Sequence, residues 1–242
     1  GEDHISNTPK QILIYEALGF KAPKFAHLPL ILDDERARMS KRAGAVAVSE
    51  YRKAGFLSEA VVNYLMLLGW SPGNNQEKVS MDTAVKNFSI KKINKAGAVF
   101  SLDKLKWLNS QYIKSMETEQ LALLLKPIVK ARYENSTILD GKEFENIVHL
   151  FKGRMSTLND FLDWADFLFT DQLNFEQEAK EKYLTGSNKK EFSQLAQELE
   201  TITDFNVKTT EESFRKVVEQ LGIKAGDLVH PVRVALTGKP VR

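Results

Sequence analysis

The chain has 242 residues, 43% of them hydrophobic and 27% charged, with no cysteine and a formal net charge of +2. That balance belongs to a globular protein of one or two domains and rules out wholesale disorder. It also excludes, within these residues, a disulfide framework, a thiol nucleophile and a cysteine-ligated metal. The four histidines (His4, His27, His149, His230) are scattered, and no apolar run approaches the roughly 20 residues of a membrane span.

The first predicted element is a helix with Thr8 as its cap and Pro9 as its first residue, running through Ile12, Leu13 and Leu18 and stopped by Gly19. Phe25 to Leu32 is an apolar run between Pro23 and Asp33 and reads as a buried strand. Residues 33–47 have no periodicity and read as a loop. A short helix follows at Ser49 to Ala54, ended by Gly55. Ser58 is the expected cap of an apolar helix that stops at Gly69, and Gly73-Asn74-Asn75 is a turn. Short helices are predicted over 80–88 and 102–116, the latter with Leu102, Leu105, Leu108, Tyr112 and Met116 on one side. From 117 onward every predicted element is a helix: about 118–132, 143–152, 157–169, 175–184, 189–202, 210–221 and 225–237. One helix and one strand at the start cannot bury themselves and must lean on the later helices or on a part of the protein outside these residues.

Charge is uneven along the chain. Residues 1–116 carry 17 Lys+Arg against 11 Asp+Glu, a net +6, and residues 117–242 carry 17 against 21, a net −4. The segment 86–114 sets Lys86, Lys91, Lys92, Lys95, Lys104, Lys106 and Lys114 against Asp103 alone. Such a stretch suits either phosphate contacts or a solvated helix face.

Arg38-Met39-Ser40-Lys41-Arg42 is the most informative stretch. It places three cations and a hydroxyl in five residues, beside Ala43-Gly44-Ala45. Lysine offers compact charge to phosphate oxygens, arginine offers forked donors, and together they could stabilise charge developing on pyrophosphate. Alone, the five residues describe a basic surface loop just as well.

Their context resolves the choice. The stretch resembles the second signature motif of class I aminoacyl-tRNA synthetases. The chain as a whole resembles the glutamyl-tRNA synthetase family, through Gly1-Glu2-Asp3-His4, Ser6-Asn7-Thr8-Pro9, Tyr15-Glu16-Ala17-Leu18-Gly19, and Pro23 to Leu32. The likeness continues through Gly55-Phe56-Leu57, Leu68-Gly69-Trp70-Ser71, Phe100 to Asn109, and Pro231 to Gly238.

The resemblance implies a mainly α fold: the remnant of a Rossmann-type α/β catalytic domain, a helical stem-contact region and an α-helical anticodon-binding cage. The implied boundaries are 1–21, 22–117 with the signature loop at 38–42, and 118–242 with two subdomains split near 175. It implies activation of glutamate with ATP, as its Mg2+ complex, to glutamyl-adenylate, then transfer to the 3′ end of tRNA-Glu. No protein-bound metal and no membrane association are expected, the parent enzyme is expected to be a cytoplasmic monomer, and ATP, L-glutamate and tRNA-Glu are its partners.

Carried over by position, Arg38, Lys41 and Arg42 are the implied catalytic cations, and Met39, Ser40 and Lys41 the ATP-binding stretch. Arg38 stands where the motif commonly has lysine, which keeps the charge but alters its geometry. Asp3 and His4 match residues lining the substrate and adenylate pocket. Arg154 and Arg233 match anticodon-contacting arginines, the first at the position that faces the third anticodon base in members discriminating tRNA-Glu. His27 is expected to be a core histidine. The first ATP signature, with its Gly-His pair, does not occur in these residues. The chain therefore reads as a fragment lacking both ends and inactive alone. Alternatives are a stand-alone, non-catalytic tRNA-binding module and a non-discriminating enzyme that also charges tRNA-Gln. A glutaminyl enzyme would read anticodons with β-barrels, against the helical pattern after 117.

Overall fold

A computed structural model describes residues 1–39, 47–134, 138–139, 141–170 and 172–240. The described chain divides into two compact units, Gly1–Ala165 and Asp166–Arg242, whose regular structure is mainly helical. Among the described residues no helix is long and apolar enough to cross a membrane.

In the first unit, a 3-10 segment Glu2–Asn7 runs into helix α1 (Thr8–Ala17). Asn7, rather than Thr8, is therefore the residue before the helix, and Thr8 is already helical. The Phe25–Leu32 run is extended, but only Ile31–Leu32 forms a strand, β1. It pairs in parallel with β2 (Ala98–Val99), Ile31 opposite Ala98 and Leu32 opposite Val99. The run is not buried as expected: Phe25, Leu28 and Ile31 are exposed, because a two-residue partner covers only its end. The apolar residues Leu13, Ile14 and Leu18 of α1 are likewise exposed.

The core of this unit lies farther along. Helices α2 (Val48–Lys53) and α3 (Ser58–Gly69) are followed by α4 (Met81–Asn87) and α5 (Leu102–Ser115). Phe56, Val61, Tyr64 and Leu68 pack on Leu105 and Leu108 of α5. Tyr64 meets Phe100 edge to face at 5.2 Å, and its hydroxyl accepts the Ser101 backbone N–H at 2.6 Å, which fixes the entry into α5. Ser101 then caps α5 by accepting the Lys104 N–H. Ser58 is not a side-chain cap, since Leu57 precedes the first helical residue of α3. Leu102, expected on the apolar side of α5, is exposed, and the buried face is instead Leu105, Leu108, Asn109, Ser110 and Ile113.

Helices α6 (Thr118–Arg132), α7 (Lys142–Lys152) and α8 (Asp160–Ala165) complete the unit. Phe161 of α8 meets Phe144 and Phe151 of α7 edge to face, at 6.0 and 6.2 Å. The single helix expected over 157–169 is shorter. Asp160 captures the N–H groups of Ser156 and Thr157, at 2.7 and 2.9 Å, so α8 starts only at Asp160, and a 3-10 turn Asp166–Leu168 follows it.

The second unit holds α9 (Gln177–Tyr183), α10 (Lys189–Glu200), α11 (Val207–Leu221) and α12 (Ala225–Thr237). Its core gathers Leu195, Val217 and Leu228. Helix α11 begins three residues earlier than predicted because Asn206 and Thr209 form a reciprocal capping box. Gly238 ends α12 in the left-handed region (φ 74°), and its carbonyl accepts the Glu176 N–H at 2.9 Å.

Candidate functional site

The signature-like stretch emerges from a turn that Asp33 builds. Asp33 Oδ1 accepts the N–H groups of Glu35 and Ala37, at 3.1 and 2.8 Å, and Arg36 takes a positive φ of 62°. The chain doubles back, Arg38 bridges to Leu32, and the Met39 N–H donates to the Ile31 carbonyl at 3.0 Å. Arg38 and Met39 are thus anchored to β1. Ser40, Lys41 and Arg42 lie outside the described residues.

The N-terminal segment meets this turn. The Glu2 N–H donates to the Leu28 carbonyl at 2.8 Å, and the Leu30 N–H donates to Glu2 Oε1 at 3.2 Å. His27 fastens the same corner: its Nδ1 faces the Gly1 carbonyl at 3.2 Å and its Nε2 faces Thr8 Oγ1 at 2.9 Å. A carbonyl only accepts, so Nδ1 carries a proton in this arrangement. His27 is therefore a half-buried clasp rather than a core residue. Held in this way, Asp3 receives the Arg38 guanidinium, with Nη2 to Oδ2 at 2.8 Å. His4 Nε2 stands 4.0 Å from the same carboxylate oxygen, while its Nδ1 meets Asn7 at 3.2 Å. The structure therefore brings Asp3, His4 and Arg38 together, 35 residues apart in the chain. A guanidinium held through one edge by a carboxylate keeps its other N–H donors for an anion.

The lysine-rich segment is a surface. Lys86, Lys91, Lys92, Lys95, Lys106 and Lys114 are exposed, and of the seven only Lys104 forms an ion pair among the described residues, with Glu77 at 2.8 Å. Phe88, Ile90 and Trp107 are exposed beside them. In the same unit Asn63 is buried, donating to the Glu77 carbonyl and accepting from the Val79 N–H and the Tyr112 hydroxyl. Burial pushes the Tyr112 phenol up from its ordinary 10.0.

Arg154 sits in the turn after α7, its N–H donating to the Phe151 carbonyl at 2.9 Å. Three neighbours hold this turn. The Asp160 carboxylate accepts from Ser156, Thr157 and the Thr157 hydroxyl. Asn109, fully buried, donates from Nδ2 to the Ser156 carbonyl at 2.6 Å while its Oδ1 accepts the Leu57 N–H at 2.9 Å. The Leu158 N–H donates to the Gly55 carbonyl at 2.8 Å, a contact so close that a Cβ at position 55 would lie 2.7 Å from the Asn159 nitrogen. These supporting residues were not singled out for that role from the sequence. The available signal was an asparagine on the apolar side of a helix, at Asn109 between Leu108 and Ile113. Arg233 is half-buried on α12 in the second unit, where its carbonyl accepts the Thr237 hydroxyl at 2.9 Å. Arg154 and Arg233 thus belong to different units.

A family model described as tRNA synthetases class I (E and Q), catalytic domain, matches residues 1–107, and one described as an anticodon binding domain matches residues 120–241. The glutamate–tRNA ligase of Geobacter sulfurreducens is 41% identical over 238 residues, covering 98% of this chain and 50% of that protein. The enzyme of the same name from Geotalea uraniireducens is 40% identical over 241 residues, covering 100% of this chain and 51% of its own length. A crystal structure of a glutamate tRNA ligase from Elizabethkingia meningosepticum, in complex with its amino acid, superposes with a TM-score of 0.81 at 32% identity, covering 99% of this chain and 50% of that one. The chain spans about half the length of the curated relatives it matches. On a collinear match running through both family models, the chain belongs to the glutamate–tRNA ligase family of class I aminoacyl-tRNA synthetases.

Proposed function

We propose that this chain supplies the second ATP signature, the tRNA stem-contact surface and the anticodon-reading region of an enzyme that activates glutamate with ATP and transfers it to tRNA-Glu. The observation that carries the reading is the collinear match over 99–100% of the chain to glutamate–tRNA ligases. In this reading residues 1–21 close the catalytic domain, 22–117 face the tRNA stem, and 118–242 form the anticodon-binding region. ATP enters as its Mg2+ complex, the metal belonging to the substrate. Arg38, Lys41 and Arg42 meet its phosphates, beside Met39 and Ser40, and Lys41 stabilises charge that develops on pyrophosphate. Asp3 orients Arg38, a role supported by their 2.8 Å ion pair, and His4 borders the adenylate pocket. The exposed lysines of 86–114 bind stem phosphates and so set position rather than sequence preference. Arg154 reads the third anticodon base and Arg233 makes a second anticodon contact, arginine being suited to an unstacked base through forked hydrogen bonds and stacking.

The test is titration of this chain with tRNA-Glu and with tRNA-Gln at two salt concentrations. The reading expects tighter binding of tRNA-Glu and a steep loss of affinity with salt, since phosphate contacts release counterions. Equal affinities with no salt dependence would overturn it. In an enzyme carrying both ATP signatures, Lys41→Ala should slow ATP–pyrophosphate exchange by roughly 10²–10³-fold; a rate near wild type would remove Lys41 from the phosphate site.

A further inference from the structure

Arg154 combines three properties. Its backbone is immobilised: Met155 is fully buried and Thr157 is buried, and the Asp160 carboxylate, the Asn109 amide and the Gly55 carbonyl all bond the residues just after it. Its side chain is nevertheless exposed and, among the described residues, enters no ion pair. Its charge is instead placed against an aromatic ring, with Cζ 5.8 Å from the ring centroid of Trp164 on α8. That distance lies within cation–π range.

An ion pair would engage the N–H donors of a guanidinium and neutralise it. A ring face restrains the guanidinium through its π-face and leaves the donor edges for another molecule. Trp164 is half-buried, and α8 is anchored from below by Phe161 against Phe144 and Phe151, so the ring is itself held.

We infer that Trp164 is the positioning residue for Arg154: it holds the charged guanidinium against its ring rather than in an ion pair, where an unstacked base is to be read. The inference rests on the base-reading role proposed above for Arg154, and it adds that the preference between anticodons depends on a residue that need not touch the base. Trp164 would lower the entropy that Arg154 loses on binding, so its contribution should appear only while Arg154 is present.

The experiment uses the full chain and two RNA hairpins carrying the anticodon arms of tRNA-Glu and tRNA-Gln, with affinity measured for each. Arg154→Gln should abolish the preference between the hairpins. Trp164→Leu should reduce it by about two- to fivefold, the size of one exposed cation–π contact, while Trp164→Phe should retain most of it. In the Arg154→Gln background, Trp164→Leu should change nothing further. Loss of preference in Arg154→Gln with full preference in Trp164→Leu overturns the positioning role alone. An unchanged preference in Arg154→Gln, or no binding of either hairpin, overturns the base-reading assignment and this inference with it. A second measurement stands apart from RNA and from the folding of variants. In the wild-type chain, the Arg154 side-chain Nε–Hε resonance should be displaced by the ring current of Trp164. A resonance at the random-coil position would overturn the contact directly.

Discussion

Asn109→Ala should strongly destabilise the first unit. Asn109 is fully buried on α5 and its amide closes two backbone groups that come from distant segments: the Leu57 N–H at the entrance to α3, at 2.9 Å, and the Ser156 carbonyl in the Arg154 turn, at 2.6 Å. Alanine leaves both without a partner. A buried donor or acceptor stranded in this way costs about 1–3 kcal/mol. Leu57 is buried, so its N–H bears the full penalty, whereas Ser156 is half-exposed and its carbonyl regains water. The sum is about 2–4 kcal/mol, including the small void left by the lost amide. With a urea slope of about 2 kcal/mol per molar, the unfolding midpoint of the first unit should fall by about 1–2 M. The assay is urea unfolding of the wild-type and variant chains, read together with amide hydrogen exchange so that the two units are followed separately. Exchange at Leu57 and Leu158 should accelerate, while that at Val217 and Val234 in the second unit should not. Asn109→Asp keeps the acceptor for Leu57 but sets an oxygen against the Ser156 carbonyl, so it should be no better than alanine. A loss below about 1 kcal/mol in Asn109→Ala, or acceleration spread equally over both units, would refute the reasoning.

Two glycines should resist substitution for a related reason. Gly55→Ala drives a Cβ to 2.7 Å from the Asn159 nitrogen at φ 81°, and Gly238→Ala drives one to 2.3 Å from the Asn174 carbonyl oxygen at φ 74°. Each should cost more than about 2 kcal/mol, the first in the first unit and the second in the second, and thermal melts that match wild type would contradict this. Asp3→Asn removes an ion pair whose arginine is 64% exposed, so stability measured by urea unfolding should change by less than about 1 kcal/mol; a larger loss would make the pair structural rather than orienting. Burial pushes the phenols of Tyr51, Tyr64 and Tyr112 above their ordinary 10.0. Above that pH the unfolded chain ionises its tyrosines while the folded chain holds these three protonated, so the unfolded state gains and stability falls as pH rises through 10.0. Tyrosinate absorbance should show a group titrating later in the native chain than in urea, and coincident titration curves would refute the assignment.

How much was legible in the sequence differs from element to element. The helices at 118–132 and 225–237 occur with the predicted bounds, because apolar periodicity and a stop signal are local properties of a chain. The capping box of Asn206 and Thr209 is local too, yet with Thr209 in place of the usual Glu or Gln it does not carry the common sequence signature. Other features depend on partners far along the chain. Phe25–Leu32 has the composition of a buried strand, but burial needs a neighbour and only Ala98–Val99 pairs with it. His27 has the same apolar surroundings in sequence, yet it became a clasp because Gly1 and Thr8 return to it.

The candidate site residues divide in the same way. The sequence by itself determined the helical class, the family and the identity of Arg38, Arg154 and Arg233 as the cations to examine, since residue order and spacing carry those signals. Only tertiary structure decided that Arg38 is tied to Asp3, that Arg154 stands on a turn held by Asn109, Asp160 and Gly55 with no ion pair among the described residues, and that Trp164 lies against its charge. The physical reason is that a pattern in sequence specifies which face of an element is apolar, whereas the partner of a buried polar group is fixed only when separate segments close on one another. An asparagine in a helix is ambiguous until the two backbone groups it satisfies have arrived.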